Sequence, residues 1–501
     1  MASYYLLLSL LLFPLLLFLK TKASTALKNN YKLPPGPWTI PIIGSIHHLI
    51  GTGHPHHALR DFSRRYGDLM FLQLGELPTV VVSSKEAVRE MFKTHDLIFC
   101  ARPTYSTVKI MYYDGKDMAF APYGEHWREL RKICALQLLS SKRVQSFRSI
   151  REEEVRSLIQ LISSSSSSSS RIVNLSEGLL VLTNNVLLRA IMGRNIKDQK
   201  MVLNDILKAF DLLTGFNLAN LFPSSSIANL ISGAKRKAEE CRRSFDHLFD
   251  NLIREHRERE ADGEVEDLLR VLLKLHDEES ENNSLSTDII KAVILDLITA
   301  GTDTTAVTLD WAMAELMKNP KVMKKAQTEV RQQLQGRESI TELDLSKLNF
   351  LHLVIKETLR LHPPGPLISR ECRETCKIFG YDIPKGASVL VNIWAIGRDP
   401  KYWKDAEEFK PERFIDDNSD VHINGKDFEL ISFGAGRKSC PGMSFALPIL
   451  ELALANLLYR FDWELPIGMK PEELDMTETF GVTTRMKSPL LLHAQPYLSC
   501  S

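Results

Sequence analysis

An excess of charge of either sign is missing: 63 Lys+Arg stand against 62 Asp+Glu, a formal net charge of +1 over 501 residues. Bulk attraction to nucleic acid is therefore excluded. A dense cysteine framework is missing as well. The seven cysteines, Cys100, Cys134, Cys241, Cys372, Cys376, Cys440 and Cys500, are odd in number and scattered. That excludes a disulfide scaffold and favours a reducing compartment. Cys372 and Cys376 have no second pair to complete a metal site. No sustained internal repeat occurs. Hydrophobic content of 44% and charged content of 25% are ordinary for a folded chain, so disorder and collagen-like structure are excluded too.

What is present first is an apolar run, residues 4–19, leucine-rich and without charge, followed by Lys20, Lys22, Lys28 and Lys32. As a helix it would reach ~24 Å, slightly short of a ~30 Å hydrocarbon core, and tyrosine and lysine side chains at its ends extend the span. No basic residue precedes the run, which argues against a cleaved signal peptide. Positive charge after it places the body in the cytosol. Residues 1–22 are expected to be a membrane anchor. Residues 23–44, with Leu33-Pro34-Pro35-Gly36-Pro37-Trp38, read as a stiff hinge, and residues 45–501 as one catalytic domain.

The body reads as mainly helical with small sheets. Ser83 and Glu86 have capping-box spacing, and residues 69–74 and 79–82 read as strands around Gly75-Glu76. Apolar residues three and four apart mark helices through 201–213 and 241–253. Eight serines at 163–170 and the polar stretch 277–286 read as loops. A helix then runs to about Lys318, nearly ~50 Å long. Residues 381–383 and 388–393 flank Pro384-Lys385-Gly386 and suggest a hairpin.

The chemistry gathers late in the chain. In Phe433-Gly434-Ala435-Gly436-Arg437-Lys438-Ser439-Cys440-Pro441-Gly442 two glycines allow close backbone approach to something flat or anionic. Pro441 suits a first helical position, and residues 443–458 continue as an apolar helix. Amide donors and the dipole at a helix start favour thiolate over thiol. A lone cysteine is usually a small core residue. A glycine-shaped loop, basic neighbours and a helix start together describe a thiolate ligand instead. The segment resembles the haem-binding loop of the cytochrome P-450 family. The likeness runs along nearly the whole chain, from the proline hinge, through Ala119-Phe120-Ala121-Pro122-Tyr123-Gly124 ahead of Trp127, to Phe480-Gly481-Val482-Thr483. It is that of a plant microsomal member.

The resemblance implies the P-450 fold, mainly α with small β-sheets, behind an N-terminal membrane anchor helix. It implies haem b with Cys440 as axial iron ligand in a loop that includes Phe433, Gly436 and Gly442. Trp127 and Arg131, four apart on one helix face, match propionate-binding positions, as do Arg370 and Lys438. The family's usual arginine at 438 is here lysine, a point charge without the bidentate fork. Glu357 and Arg360, three apart and so on one helix face, match with Arg413 a buried network that braces the floor beneath the haem. Ala300-Gly301-Thr302-Asp303-Thr304-Thr305 puts poor helix formers, costing up to ~1 kcal/mol each, inside the long helix. Threonine hydroxyls can bend a helix there, and the implied result is a local opening. The implied roles are a proton relay through water for Asp303 and a hydrogen bond to dioxygen for Thr304. Ala300, Leu367, Ile368 and Val482, with Phe210 or Leu213, would line the substrate pocket. The stretch from His362 to Arg370 is one residue shorter than in plant relatives.

The implied activity is insertion of one oxygen atom from dioxygen into a hydrophobic plant specialised metabolite. The stretch Asp475-Met476-Thr477-Glu478 and residues 479–483 resemble members acting on terpenoids. A thiolate ligand favours oxygen–oxygen cleavage once protons arrive. Electrons would come from NADPH through a separate flavoprotein, NADPH–cytochrome P-450 reductase, on a basic face of Arg128, Lys132, Arg437 and Lys438. Membrane lipid and a small hydrophobic substrate are the other expected partners, in the endoplasmic reticulum membrane. A hydroperoxide-rearranging haem isomerase is disfavoured by the retained Asp303-Thr304 pair. A passive haem carrier is disfavoured by the interrupted helix opposite the thiolate.

Overall fold

A computed structural model of the chain describes residues 30–166, 172–194, 199–213, 216–258, 266–278, 285–337, 340–416, 421–423, 425–479 and 481–497. The expected anchor at 1–22, Cys500 and Phe480 lie outside them.

Helices build most of the body: α1 (Pro55–Tyr66), α2 (Glu125–Ile133), α3 (Arg148–Ser166), α4 (Leu175–Met192), α5 (Gln199–Leu213), α6 (Ala234–Glu258), α7 (Thr287–Lys318), α8 (Asn349–Leu361) and α9 (Met443–Arg460). Local chemistry sets their ends. The Asn174 side chain accepts from Glu177 N at the start of α4, and Gly193 closes it with a left-handed φ of 70°. Pro320 lies just beyond α7, where a helix cannot readily continue through the preceding residue. α7 spans 32 residues, or ~48 Å, and is buried on nearly every side.

α4, α7 and α9 are each long and apolar enough to cross a membrane, but 61%, 78% and 61% of their most apolar windows are buried within the body. Burial against other helices therefore accounts for their apolarity. α7 passes so close to α4 that a Cβ at Gly301 would stand 2.7 Å from Leu187 Cδ1. Helix packing thus explains this glycine, and the expected interruption takes the form of side chains on an unbroken helix.

Four strands form the main sheet: β1 (Leu69–Leu74), β2 (Leu77–Val82), β4 (Leu367–Glu371) and β7 (Ser388–Asn392), in the order β1-β2-β7-β4. Only β2 and β7 run parallel. β3 (Ile172–Asn174), β9 (Leu491–Pro496) and β8 (Phe461–Glu464) make a second sheet. β5 (Cys376–Ile378) and β6 (Tyr381–Ile383) pair with each other. The hairpin expected across Pro384-Lys385-Gly386 is therefore absent. Residues 381–383 turn back on β5, and all five residues of β7 are buried between β2 and β4.

Other expectations shift. Ser84, one residue after Ser83, accepts from Ala87 N to start its helix. The first serines of the run continue α3, where Ser163 Oγ donates to Ile159 O. Asp277 and Glu278 belong to the helix Leu268–Glu278. The proline-rich segment does not stand apart as a spacer. Phe71 N donates to Pro35 O at 2.8 Å and Asp382 N to Lys32 O at 2.8 Å, so it packs on β1 and β6. A Cβ at Gly36 would collide with Phe71 O.

Candidate active site

The loop ahead of α9 is shaped by Gly434 and Gly436, with φ of 72° and 71°, a conformation in which a side chain is strained. A Cβ at Gly436 would also collide with the Asp96 carboxylate. The turn brings Cys440 N to Phe433 O at 2.8 Å and Ser439 N to Gly436 O at 3.0 Å. Ser432 Oγ donates to Leu359 O at 2.7 Å, tying the loop to α8. Gly442 caps α9, so Pro441 lies outside the first turn that its type suits.

The amides of Gly442 and Met443 point at the Cys440 sulfur. Burial pushes the Cys440 thiol up, and these amides with the Arg131 and Arg102 guanidiniums oppose that shift without reversing it. Cys440 is nonetheless the exposed one among the described cysteines. Ala300 is exposed in the middle of the otherwise buried α7, with Thr304 half-buried one turn on.

Cations gather beside the loop. Arg131 Nη1 donates to Ser439 O at 3.0 Å. Arg370, 1% exposed, donates through Nη2 to Lys438 O at 3.2 Å. Lys438 is buried, its Nζ among the carbonyls of Met118, Ala119 and Ala121 at 3.2, 3.3 and 2.9 Å, and 4.8 Å from the Trp127 ring. Trp127 Nε1 donates to Met118 O at 3.0 Å. The donors of Lys438 and Trp127 thus hold the 118–121 loop. Burial, then the Arg102 cation, brings the Lys438 amine down to about 7 against the pull of Asp117.

Arg102 escaped the sequence reading. It follows the apolar Ile98-Phe99-Cys100 stretch and precedes Pro103, and its Nε is buried without a hydrogen-bond partner. Asp296 escaped too. One turn before Ala300 in α7, it accepts from Met118 N and Ala119 N at 2.8 and 3.1 Å. Burial, then the neighbouring Asp117, pushes its carboxyl well up, so it offsets little positive charge. A site with a soft sulfur ligand, Arg102, Arg131 and Arg370, and an unpartnered buried guanidinium N–H fits an anionic cofactor holding a metal.

On α7, Thr304 Oγ1 donates to Ala300 O at 2.8 Å. Asp303 is 1% exposed. Its Oδ1 lies 2.7 Å from Arg485 Nη2, and its Oδ2 accepts from Thr483 Oγ1.

The pocket candidates Ala300, Leu367, Ile368 and Val482 all keep accessible surface. Ile368 Cδ1 stands 3.9 Å from where a Cβ at Gly434 would lie, and Val482 O 3.8 Å from one at Gly365, bringing these segments together.

Beneath the loop, Glu357 takes Arg360 Nε and Nη2, both at 2.8 Å, and Arg413 Nε at 2.9 Å. Arg360 also donates to Ala406 O at 2.7 Å and Glu408 O at 3.1 Å. The three side chains are buried and mutually satisfied, which is the condition for a buried charge network to hold structure. Of the four cations expected on a docking face, Lys438 is buried, whereas Arg128, Lys132 and Arg437 are exposed, Arg437 in an ion pair with Asp96. A groove of roughly 1170 Å³ between Pro320 and Pro471 is lined by none of these residues and opens to solvent.

An accessible cysteine ahead of a helix, arginines beside its loop, and a long buried helix carrying an Asp-Thr pair together fit a haem-thiolate oxygenase. The cytochrome P450 family model matches residues 34–492, and the chain belongs to that family. It is 49% identical to desmethyl-deoxy-podophyllotoxin synthase of Sinopodophyllum hexandrum, over 95% of this chain and 94% of the relative. It is 47% identical to 5-epiaristolochene 1,3-dihydroxylase of Nicotiana tabacum, over 99% of each. It is 47% identical to amorpha-4,11-diene 12-monooxygenase of Artemisia annua, over 97% and 96%. A zebra fish cytochrome P450 solved with progesterone superposes with a TM-score of 0.75 at 26% identity, covering 88% of this chain and 99% of that one. The protein is a monooxygenase that uses haem held by a cysteine thiolate, dioxygen, and electrons from a redox partner.

Proposed function

We propose that this monooxygenase oxygenates a terpenoid hydrocarbon. One observation carries the reading: the expected pocket residues Ala300, Leu367, Ile368 and Val482 are all aliphatic and all keep accessible surface. Such a wall recognises shape and apolar area and offers no charge to a substrate. Relatives named 5-epiaristolochene 1,3-dihydroxylase, premnaspirodiene oxygenase and amorpha-4,11-diene 12-monooxygenase support the same class. The podophyllotoxin-named relative supports a second reading, a polycyclic aromatic substrate.

When bound, the haem supplies the activation of dioxygen and the transfer of one oxygen atom to substrate. Cys440 provides the thiolate, with the Gly442 and Met443 amides turned toward its sulfur. Arg102, Arg131 and Arg370 stand where propionates would need positive charge. Lys438 and Trp127 act one step back, by fixing the carbonyls of 118–121. Asp303 takes protons from water, and Thr304, whose one hydroxyl proton is donated to Ala300 O, keeps its oxygen lone pairs free to accept a hydrogen bond. Thr304→Ala is expected to keep substrate binding while more NADPH ends as hydrogen peroxide. Product formed per NADPH checks it.

NADPH–cytochrome P-450 reductase is proposed as donor, meeting the exposed Arg128 and Lys132. We place the protein on the endoplasmic reticulum membrane, with residues 1–22 as anchor, 23–44 leading from it and the body from 45 on cytosolic. Ile50, Ile227, Leu230 and Ile231, 70–83% exposed, support lipid contact by the body. The deciding experiment reconstitutes the protein with reductase and NADPH and offers amorpha-4,11-diene, 5-epiaristolochene and a deoxypodophyllotoxin-type lignan. A product one oxygen heavier from a terpene alone supports the first reading; turnover of the lignan alone would replace it with the second.

A further inference from the structure

We infer that Arg485 is a positioning residue for Asp303, a role that rests on the proton-relay reading of Asp303 given above. A carboxylate that is 1% exposed is costly to bury unless opposite charge and hydrogen bonds meet it. Among the described residues, Arg485 is the one cation within ion-pair distance of Asp303, Nη2 to Oδ1 2.7 Å. Thr483 Oγ1 occupies the other oxygen. Both partners come from one short segment, so one element determines how the carboxylate is turned.

That segment is itself firmly held. Glu478 bridges to Met486, and Arg485 O accepts from Thr479 N at 2.8 Å and Thr479 Oγ1 at 3.2 Å. Thr484 N donates to Pro364 O at 2.9 Å, and Thr484 O accepts Trp311 Nε1 from α7 at 2.7 Å. The Arg485 backbone is therefore fixed while its side chain remains one-third exposed. Arg485 Nε and Asp303 Oδ1 are both buried without a hydrogen-bond partner, so the contact between the two side chains is held by charge. The guanidinium also lies 5.8 Å from the Phe210 ring of α5. The ion pair thus sits between the relay and a wall of the substrate region. Loss of Arg485 frees the carboxylate to turn away from the water it serves, whereas loss of a merely structural contact lowers stability without touching proton delivery.

The test uses the haem-loaded protein with reductase, without substrate, following NADPH oxidation in H2O and D2O. Asp303→Asn, Arg485→Gln, Arg485→Lys and the Asp303→Asn/Arg485→Gln double variant are compared with wild type. Arg485→Gln is expected to slow oxidation and raise the solvent isotope effect toward the Asp303→Asn value. Arg485→Lys, which keeps the charge, should recover most of both. The double variant should be no slower than Asp303→Asn, and melting-temperature losses of the two single changes should likewise fail to add. A wild-type isotope effect in Arg485→Gln beside an impaired Asp303→Asn would overturn the positioning role and leave the relay intact. Rates that multiply in the double variant would also overturn it. An Asp303→Asn variant with wild-type kinetics would overturn both.

Discussion

Cys440 lies three residues ahead of α9, its sulfur faced by two amides and two arginines that do not outweigh burial. Coordination to iron would complete what those groups begin, because metal binding deprotonates a thiol outright. Cys440→Ala is expected to abolish the long-wavelength band of the reduced carbon monoxide complex that marks thiolate ligation. A variant retaining that band would remove Cys440 as ligand. Lys438 shows how one substitution at a familiar position changes a local network. In place of a flat fork it offers three N–H donors from one nitrogen, and the chain answers with three carbonyls from one loop.

Two elements carry the clearest packing consequences. At the α4–α7 crossing, alanine at 301 would gain about 1 kcal/mol of helix propensity. Its methyl would press on Leu187 at 2.7 Å, and overpacking costs ~1–3 kcal/mol. Gly301→Ala should therefore lower stability by ~1 kcal/mol, and Gly301→Ala/Leu187→Ala should lose less than the single changes sum to; thermal melts of the four proteins decide it. At the start of α1, His56 Nε2 donates to Glu478 Oε2 at 2.7 Å, His57 Nε2 lies 3.4 Å away and Trp394 Nε1 donates to Oε1 at 3.3 Å. Burial would raise Glu478, but the bonds from His56 and His57 hold it well below the ordinary carboxylate range. Burial lowers His56, which therefore stays neutral as donor.

A carboxylate depressed in the folded state adds stability above its unfolded value and loses it as pH falls. The cost of Glu478→Gln should thus be full at neutral pH, ~2 kcal/mol for hydrogen bonds lost to a buried charge. It should shrink as pH drops through about 4.3. Melting both proteins across pH checks this, and a gap that grows toward acid would contradict it.

At the scale of the whole molecule, three helices apolar enough for a membrane are consumed by the core. Exposed apolar side chains include Trp38 and Ile50, three on the helix Ser226–Ser232 (Ile227, Leu230 and Ile231), and Leu343 and Ile467 elsewhere. Orientation has a test that needs no substrate. Asn174, in an Asn-Leu-Ser acceptor pattern, is exposed at the start of α4. A cytosolic body should carry no glycan there or at Asn282, which lies outside the described residues. An endoglycosidase-induced gel shift of protein from plant microsomes would reverse the orientation and the reductase partnership with it.

The cysteine loop, the Asp303-Thr304 pair and the Glu357-Arg360 spacing were legible in the chain because each is a local pattern, with the chemistry and the backbone requirement encoded within ten residues. The helices through 201–213, 241–253 and 443–458 and the long one ending at Lys318 were legible for the same reason, since periodicity is local. Tertiary structure alone decided the rest. Arg102 is unremarkable in its own segment and becomes part of the site only where the 98–102 stretch meets Arg370 and Lys438. Arg485 reaches Asp303 across 182 positions, and β7 chose β2 and β4 over its neighbour β6. Burial and electrostatic pairing act through space, so which cation meets which carboxylate, and which glycine must stay bare, follows from how the elements pack.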